Sequence, residues 1–219
     1  MVYMVYNCSM EINKPTIILA SGSPRRLEIM RKHGIEPLVI PADVEETVPE
    51  NISPSEVPVY LAELKAEAVS VSCGLRDGLI ISADTIVYLG DLNGGGEIMG
   101  KPKDPEDGFR MLASLRNRHH YVITGVCLRD IASGRHHSFN EVTKVTFTYI
   151  SDRELLEYLS TDEAYDKAGG YAIQGTFGKY VESFEGSYDN VVGFPWKRIK
   201  YEIDNFIKTG GLINEKIYD

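Results

Sequence analysis

Short apolar runs alternate with amphipathic stretches along the chain, and the period switches several times. Residues 16–20 (TIILA) are apolar and rich in isoleucine, as a buried strand requires. Ser21-Gly22-Ser23-Pro24 breaks that run, and an amphipathic stretch follows to about residue 33. Ser23 suits a helix N-cap and Pro24 the first helical position. A second strand is expected over residues 38–40. Ser53-Pro54-Ser55-Glu56 reads as a capping box that opens a helix to about residue 72. Residues 79–83 form a buried-looking strand that ends in Asp84-Thr85, and residues 86–99 resemble a hairpin around Asn93-Gly94-Gly95-Gly96. Asp104 and Pro105 start a helix ending near residue 117. Residues 121–128 and 141–149 read as strands joined by a turn at Ser133-Gly134. Ser151-Asp152-Arg153-Glu154 is a second capping box, for a helix to about residue 159. Residues 162–193 are glycine-rich with short strands, and a last helix begins near Pro195. This mixed order predicts an α/β fold, a twisted mixed central sheet flanked by helices.

Composition fits one unit of this kind. The chain has 219 residues, 43% hydrophobic and 25% charged, enough to bury a substantial core without staples. No repeat or linker divides it. Residues 1–14, which include Met1, Met4 and Met10, read as an N-terminal extension, residues 15–208 as a single domain and residues 209–219 as a tail. The N-terminus lacks a basic segment followed by a long apolar run, and no stretch approaches the roughly 20 apolar residues of a membrane helix, so a cytosolic protein without a membrane partner is expected. Cys8, Cys73 and Cys127 form no C-x-x-C pair, which points to reduced thiols and not to zinc or disulfides. A formal net charge of −9 makes nucleic acid a poor partner. It leaves room for a phosphorylated small molecule held by a local cluster of cations.

Four segments concentrate such chemistry. Ser21, Ser23, Arg25 and Arg26 meet where a strand turns into a helix, and the N–H groups and dipole of a helix start favour an anion that arginine can grip. A helix cap with two solvated arginines would explain Ser-x-Arg alone; two serines and two arginines together favour phosphate. Asp84, after an apolar strand, suits a crevice where it could hold a divalent metal or orient a water, or simply cap its own loop. Lys101, in Gly100-Lys101-Pro102, offers a point charge after the hairpin, although a solvated turn lysine is the commoner role. Residues 166–175 (DKAGGYAIQG) bring small residues that allow close backbone approach, and Gln174 carries a donor and an acceptor suited to a base edge; an ordinary turn and strand is the alternative. The five histidines fall in no metal-binding pattern such as H-E-x-x-H, and surface or core roles are expected for all of them.

Taken together these segments resemble the Maf family. The motifs LASGSPRR (residues 19–26), SADTIV (82–87), GKP (100–102), TGV (124–126), DKAGGYAIQG (166–175) and NVVGFP (190–195) follow the family's order. The Ala-Asp-Thr strand end and the Ile-Gln-Gly segment resemble its dTTP/UTP pyrophosphatase branch. That resemblance implies two α/β lobes with a cleft, a divalent cation (Mg²⁺ or Mn²⁺), often a homodimer, and hydrolysis of nucleoside triphosphates, standard or modified, to monophosphate and pyrophosphate. It further implies phosphate binding by Ser21, Arg25 and Arg26, metal binding by Glu46 with Asp84, a cleft lysine at Lys65, a general base at Asp84, and ligand contacts from Lys101 and Gln174. The long hairpin with its glycines, the N-terminal extension and Phe194 in place of a common leucine depart from the family pattern. Rival readings are a nucleotidyltransferase and a non-catalytic nucleotide sensor in cell-division control.

Overall fold

The computed structural model describes residues 15–210. The extension expected over residues 1–14, Cys8 within it, and residues 211–219 of the tail expected over 209–219 lie outside the described residues, while residues 209–210 belong to the last helix. The order of elements is β1 (Ile17–Leu19), α1 (Pro24–Lys32), β2 (Leu38–Val39), α2 (Val57–Ser72), β3 (Leu79–Asp91), β4 (Gly94–Met99), α3 (Pro105–Leu115), β5 (His119–Asp130), β6 (His136–Phe147), α4 (Asp152–Leu159), β7 (Val181–Glu185), α5 (Tyr188–Val192) and α6 (Trp196–Gly210). Two 3₁₀ turns, Ala168–Gly170 and Thr176–Tyr180, precede β7. No helix among the described residues is long and apolar enough to cross a membrane.

Seven strands form one mixed sheet in the order β2-β1-β3-β5-β6-β7, with β4 also on β3. β1 runs parallel to both β2 and β3, and every other pair is antiparallel. The pairing of β3 positions the site. On one side β5 pairs with it without a break from Leu79↔Asp130 to Tyr88↔Tyr121. On the other side β1 reaches only Ile81, and β4 begins only at Val87. Among the described residues no strand covers residues 82–86 on that side, so the sheet has a notch there.

Asp84 sits at this notch, in mid-strand. The strand expected to stop at residue 83 continues to Asp91 because the β5 ladder carries the backbone straight through the polar Asp84-Thr85 step. Alternation along β3 then sends Asp84 to one face and Thr85 to the other.

On the face of Asp84 lies α2. Its small residues Ala62 and Ala66, with Val69, pack on Ile18, Ile80 and Cys127, and Val57 and Leu61 pack on Ile86, Tyr88 and Ile123. The helix lies very close to the sheet because Gly125, the cross-strand partner of Asp84, has no side chain. A Cβ there would stand 2.2 Å from the carbonyl carbon of Pro58. The Ser82 hydroxyl adds a pin by donating to the Ala62 carbonyl at 2.6 Å.

The opposite face carries two cores along the length of the strands. Leu79, Ile81, Ala83 and Val126 pack under Met30 of α1 and Trp196, Ile199 and Ile203 of α6. Val87, Val122, Val145 and Phe147 pack under Met111 and Leu112 of α3, Leu155 of α4 and Phe177. The fold is therefore the mixed α/β sheet flanked by helices that the pattern predicts, with two lobes.

Local signals explain most boundaries and some shifts. Asp104 caps α3 by accepting from the Asp107 N–H at 2.8 Å, and Ser151 and Glu154 complete a reciprocal capping box for α4. The box at Ser53 is only half made: the Glu56 carboxylate accepts from the Ser53 N–H and hydroxyl, while Ser53 caps nothing in return. α2 accordingly starts at Val57, later than the motif suggested. Residues 162–193, expected as short strands, hold one strand, two 3₁₀ turns and the short α5. β5 and β6 begin at His119 and His136, and β6 ends at Phe147, because the paired register extends to those residues.

Candidate active site

A cleft of about 780 Å³ opens at the notch, and it is lined by Ser21, Arg25, Arg26, Glu46, Lys65, Asp84, Lys101 and Gln174. All eight residues singled out from the sequence thus meet in one place, although they come from six separate stretches of chain.

Two enclosed, opposite charges lie at its base. Lys65, two turns into α2, sits over Asp84 with Nζ 2.6 Å from Oδ1, and the same Nζ lies 2.8 Å from Glu46 Oε1. The side chains of Lys65 and Asp84 are only 14% and 13% exposed, whereas Glu46, on the loop before α2, is 51% exposed. One ammonium therefore bridges two carboxylates, and one of those carboxylates points from the strand edge into the cleft.

The two neighbouring arginines have different surroundings. Arg26 seals the open edge of β3. Its Nη1 donates to the Ala83 carbonyl at 2.6 Å and to Ser21 Oγ at 2.9 Å, Nε donates to the Gly193 carbonyl at 3.0 Å, and Nη2 donates to Thr85 Oγ1 at 3.2 Å. These acceptors are all uncharged. Burial lowers the Arg26 pKa from its ordinary value while the Asp84 charge opposes that shift; the guanidinium stays charged. Ser21 Oγ also accepts from the Ser23 N–H at 3.3 Å. Ser21 and Arg26 together thus lock the strand–helix turn to β3 and to the turn at Gly193.

Arg25 reaches outward instead. Its Nη1 pairs with Asp166 Oδ2 at 2.8 Å, and Asp166 also pairs with Lys167. Burial alone would raise the Asp166 pKa, but hydrogen bonds from Lys167 and Arg25 hold it below the ordinary carboxylate range. Asp166 was not singled out for this role. Its place in the same short motif as Gln174 was the available signal. The pair joins α1 to the segment that carries Gln174, across the mouth of the cleft.

Lys101 is exposed at the rim, directly after β4. The Gly100 carbonyl before it accepts from the Gly169 N–H at 2.9 Å, so the lysine turn and the Gln174 segment are tied together. Gly169 has φ +69°, and a Cβ there would stand 2.8 Å from Val87, which is why a glycine occupies it. Gln174 is exposed toward the cleft, where Tyr171, Ile173, Val191 and Val192 supply an apolar wall.

Behind that wall, Tyr171 hydroxyl and His120 Nε2 are 2.8 Å apart and both residues are buried. Burial, with a smaller contribution from His119, pushes the His120 pKa down to about 3. His120 thus takes the core role expected for some of the histidines.

The sequence matches the Maf-like protein family over residues 16–206, and the chain belongs to that family. It is 41% identical over 187 residues to the dTTP/UTP pyrophosphatase of Carboxydothermus hydrogenoformans, an alignment covering 85% of this chain and 96% of that protein. It is 40% identical over 183 residues to the dTTP/UTP pyrophosphatase of Desulforamulus reducens, covering 84% and 92%. The protein of that name from Bdellovibrio bacteriovorus is 37% identical over 196 residues, covering 88% of this chain and all of its own length.

Proposed function

We propose that this protein hydrolyses nucleoside triphosphates to the monophosphate and pyrophosphate, with dTTP and UTP preferred. The observation that carries this reading is the enclosed Asp84 carboxylate at the strand notch, held by Lys65 beside Glu46, in a cleft rimmed by Arg25 and Lys101. The names of its relatives support the same reaction and the same substrates.

In this account the triphosphate lies along the cleft. Arg25 exchanges Asp166 for phosphate oxygens, and Lys101 adds a second mobile cation. Ser21 and Arg26 frame the turn at the start of α1, and the dipole of that helix start favours the anion. Asp84 orients a water and takes its proton as the water oxygen bonds to the α-phosphorus. The bond from that phosphorus to the bridging oxygen breaks, and pyrophosphate departs with its charge spread over the cations. Lys65, 2.6 Å from Oδ1, holds the Asp84 carboxylate in place at the base of the cleft. Gln174, with its amide held in one orientation, meets the keto oxygen and N–H of uracil or thymine; cytosine presents donor and acceptor in the reversed order and does not match that orientation.

Two carboxylates that converge on a single ammonium form a set of hard oxygen donors, and this fits Mg²⁺ or Mn²⁺. Glu46 and Asp84 would hold the ion, and waters and phosphate oxygens would complete its shell, since the described residues contain no group of three such ligands. When bound, the ion supplies neutralisation of phosphate charge.

Replacing Asp84 with asparagine tests the assignment. Turnover should fall by about 10²–10⁴-fold while nucleotide affinity stays within a few-fold. Equal losses in turnover and affinity would mean that Asp84 acts as a metal or binding ligand and not as the base.

A further inference from the structure

Gln174 lies on a tight turn between two buried aromatic anchors. Tyr171 before it is held by His120, and Phe177 after it is fully buried in the aromatic core. Backbone bonds at the turn include one from the Gly175 N–H to the Ala172 carbonyl at 3.2 Å and one from the Gly178 N–H to the Gly175 carbonyl at 3.1 Å.

A carboxylate from outside the cleft lining supplies more. Glu163 Oε2 accepts from the Thr176 N–H at 3.1 Å and from the Thr176 hydroxyl at 3.0 Å. The carboxylate lies close over the turn: a Cβ on Gly175 would stand 2.5 Å from that same oxygen. Glu163 is itself fixed, because the Lys167 ammonium donates to its carbonyl at 2.5 Å. Lys167 also pairs with Asp166, the partner of Arg25.

We infer that Glu163 is the positioning residue that sets base selectivity, by clamping the turn that presents Gln174. The inference rests on the reading of Gln174 given above. Glu163 belongs to neither core of the lobes, and the ends of the turn are pinned by Tyr171 and Phe177. Loss of the carboxylate therefore frees residues 172–176 and leaves the lobe folded. Its effect falls on which base is accepted and on KM, and little on kcat for a substrate already seated.

The test compares Glu163→Ala, Glu163→Gln and Gln174→Ala with the native protein in kcat/KM for UTP and CTP, together with hydrogen exchange over residues 172–178 and melting temperature. Glu163→Ala should lower the UTP-to-CTP preference about tenfold, mainly through KM. Glu163→Gln keeps a carbonyl oxygen as acceptor and should stay within about threefold of native. Exchange at the Thr176 amide should quicken about tenfold in Glu163→Ala with the melting temperature unmoved. An unchanged preference in Glu163→Ala beside a lost preference in Gln174→Ala would overturn the inference alone. If the native protein shows no base preference, the reading of Gln174 fails instead. Exchange at Thr176 then decides separately whether Glu163 holds the turn, and an unchanged rate there overturns the clamp.

Discussion

Gly125→Ala would separate the helix that carries Lys65 from the strand that carries Asp84. The added Cβ would stand 2.2 Å from both the Pro58 carbonyl carbon and the Val59 nitrogen, and 2.3 Å from the Pro58 oxygen. Carbon contacts are comfortable only near ~3.5 Å, so the first turn of α2 must recede by roughly 1 Å. Backbone meets backbone at this point, and no flexible side chain can absorb the clash. Overpacking of this kind costs about 1–3 kcal/mol, which for a chain of this size lowers the melting temperature by roughly 2–12 °C. Lys65 lies on the same helix, about two turns from Pro58. A shift near 1 Å in a group that orients the reacting carboxylate can cost up to ~100-fold in rate, so kcat/KM for UTP should fall by about 10–100-fold. Thermal melts and steady-state kinetics on the same preparation read both effects. Ser82→Ala is the milder companion, since it removes one hydrogen bond to Ala62 without forcing the helix away, at about 1 kcal/mol. Native melting and native turnover in Gly125→Ala would refute the argument that contact between α2 and β5 at this glycine sets the site.

Two further outcomes follow from the buried groups. His120 has a pKa near 3 when folded, below its ordinary 6.5, so the unfolded chain takes up the proton first as pH falls. Stability is then full above about pH 6.5 and declines toward pH 3 by up to about 1.4 kcal/mol per pH unit. In urea unfolding the loss between pH 7 and pH 5 should be about 2 kcal/mol smaller in His120→Gln; an identical pH dependence in both proteins would contradict the assignment. Arg26→Lys leaves several of the acceptors at Ala83, Gly193, Ser21 and Thr85 unpaired and should cost about 3 kcal/mol or more. Arg25→Lys, which touches only a solvated pair, should stay within about 1 kcal/mol of native stability. The reverse order would show that Arg25, and not Arg26, is the arginine that holds the fold together.

The legible parts of this fold are those whose cause is local. The caps at Asp104 and Ser151 and the proline at the start of α1 each depend on neighbours a few residues away. Six of the eight site residues were legible because they fall in short motifs, whereas Glu46 and Lys65 came only through the family resemblance; the structure brings all eight to one cleft. Features set by distant partners were not legible. Asp84 lies in mid-strand because β5, some 40 residues later by the Asp84↔Gly125 pairing, extends the ladder past it. At Ser53 the hydroxyl goes to the Glu56 carboxylate and not to a helix N–H, and α2 starts at Val57. The tasks of Arg25 and Arg26 look alike in sequence, and only the arrival of Asp166 on one and of Gly193 on the other distinguishes them. Glu163 carries no motif signal at all; its meaning comes from Thr176 folding back against it.

The central claim is the bond that is broken. The purified protein is incubated with UTP, dTTP, CTP, ATP and GTP in Mg²⁺ or Mn²⁺, and the products are separated by chromatography. Monophosphate and pyrophosphate in equal amounts, formed fastest from dTTP and UTP without any acceptor, is the predicted result. Diphosphate with orthophosphate would contradict attack at the α-phosphorus. Tight nucleotide binding without turnover in either metal would contradict the enzyme reading as a whole and leave a nucleotide sensor.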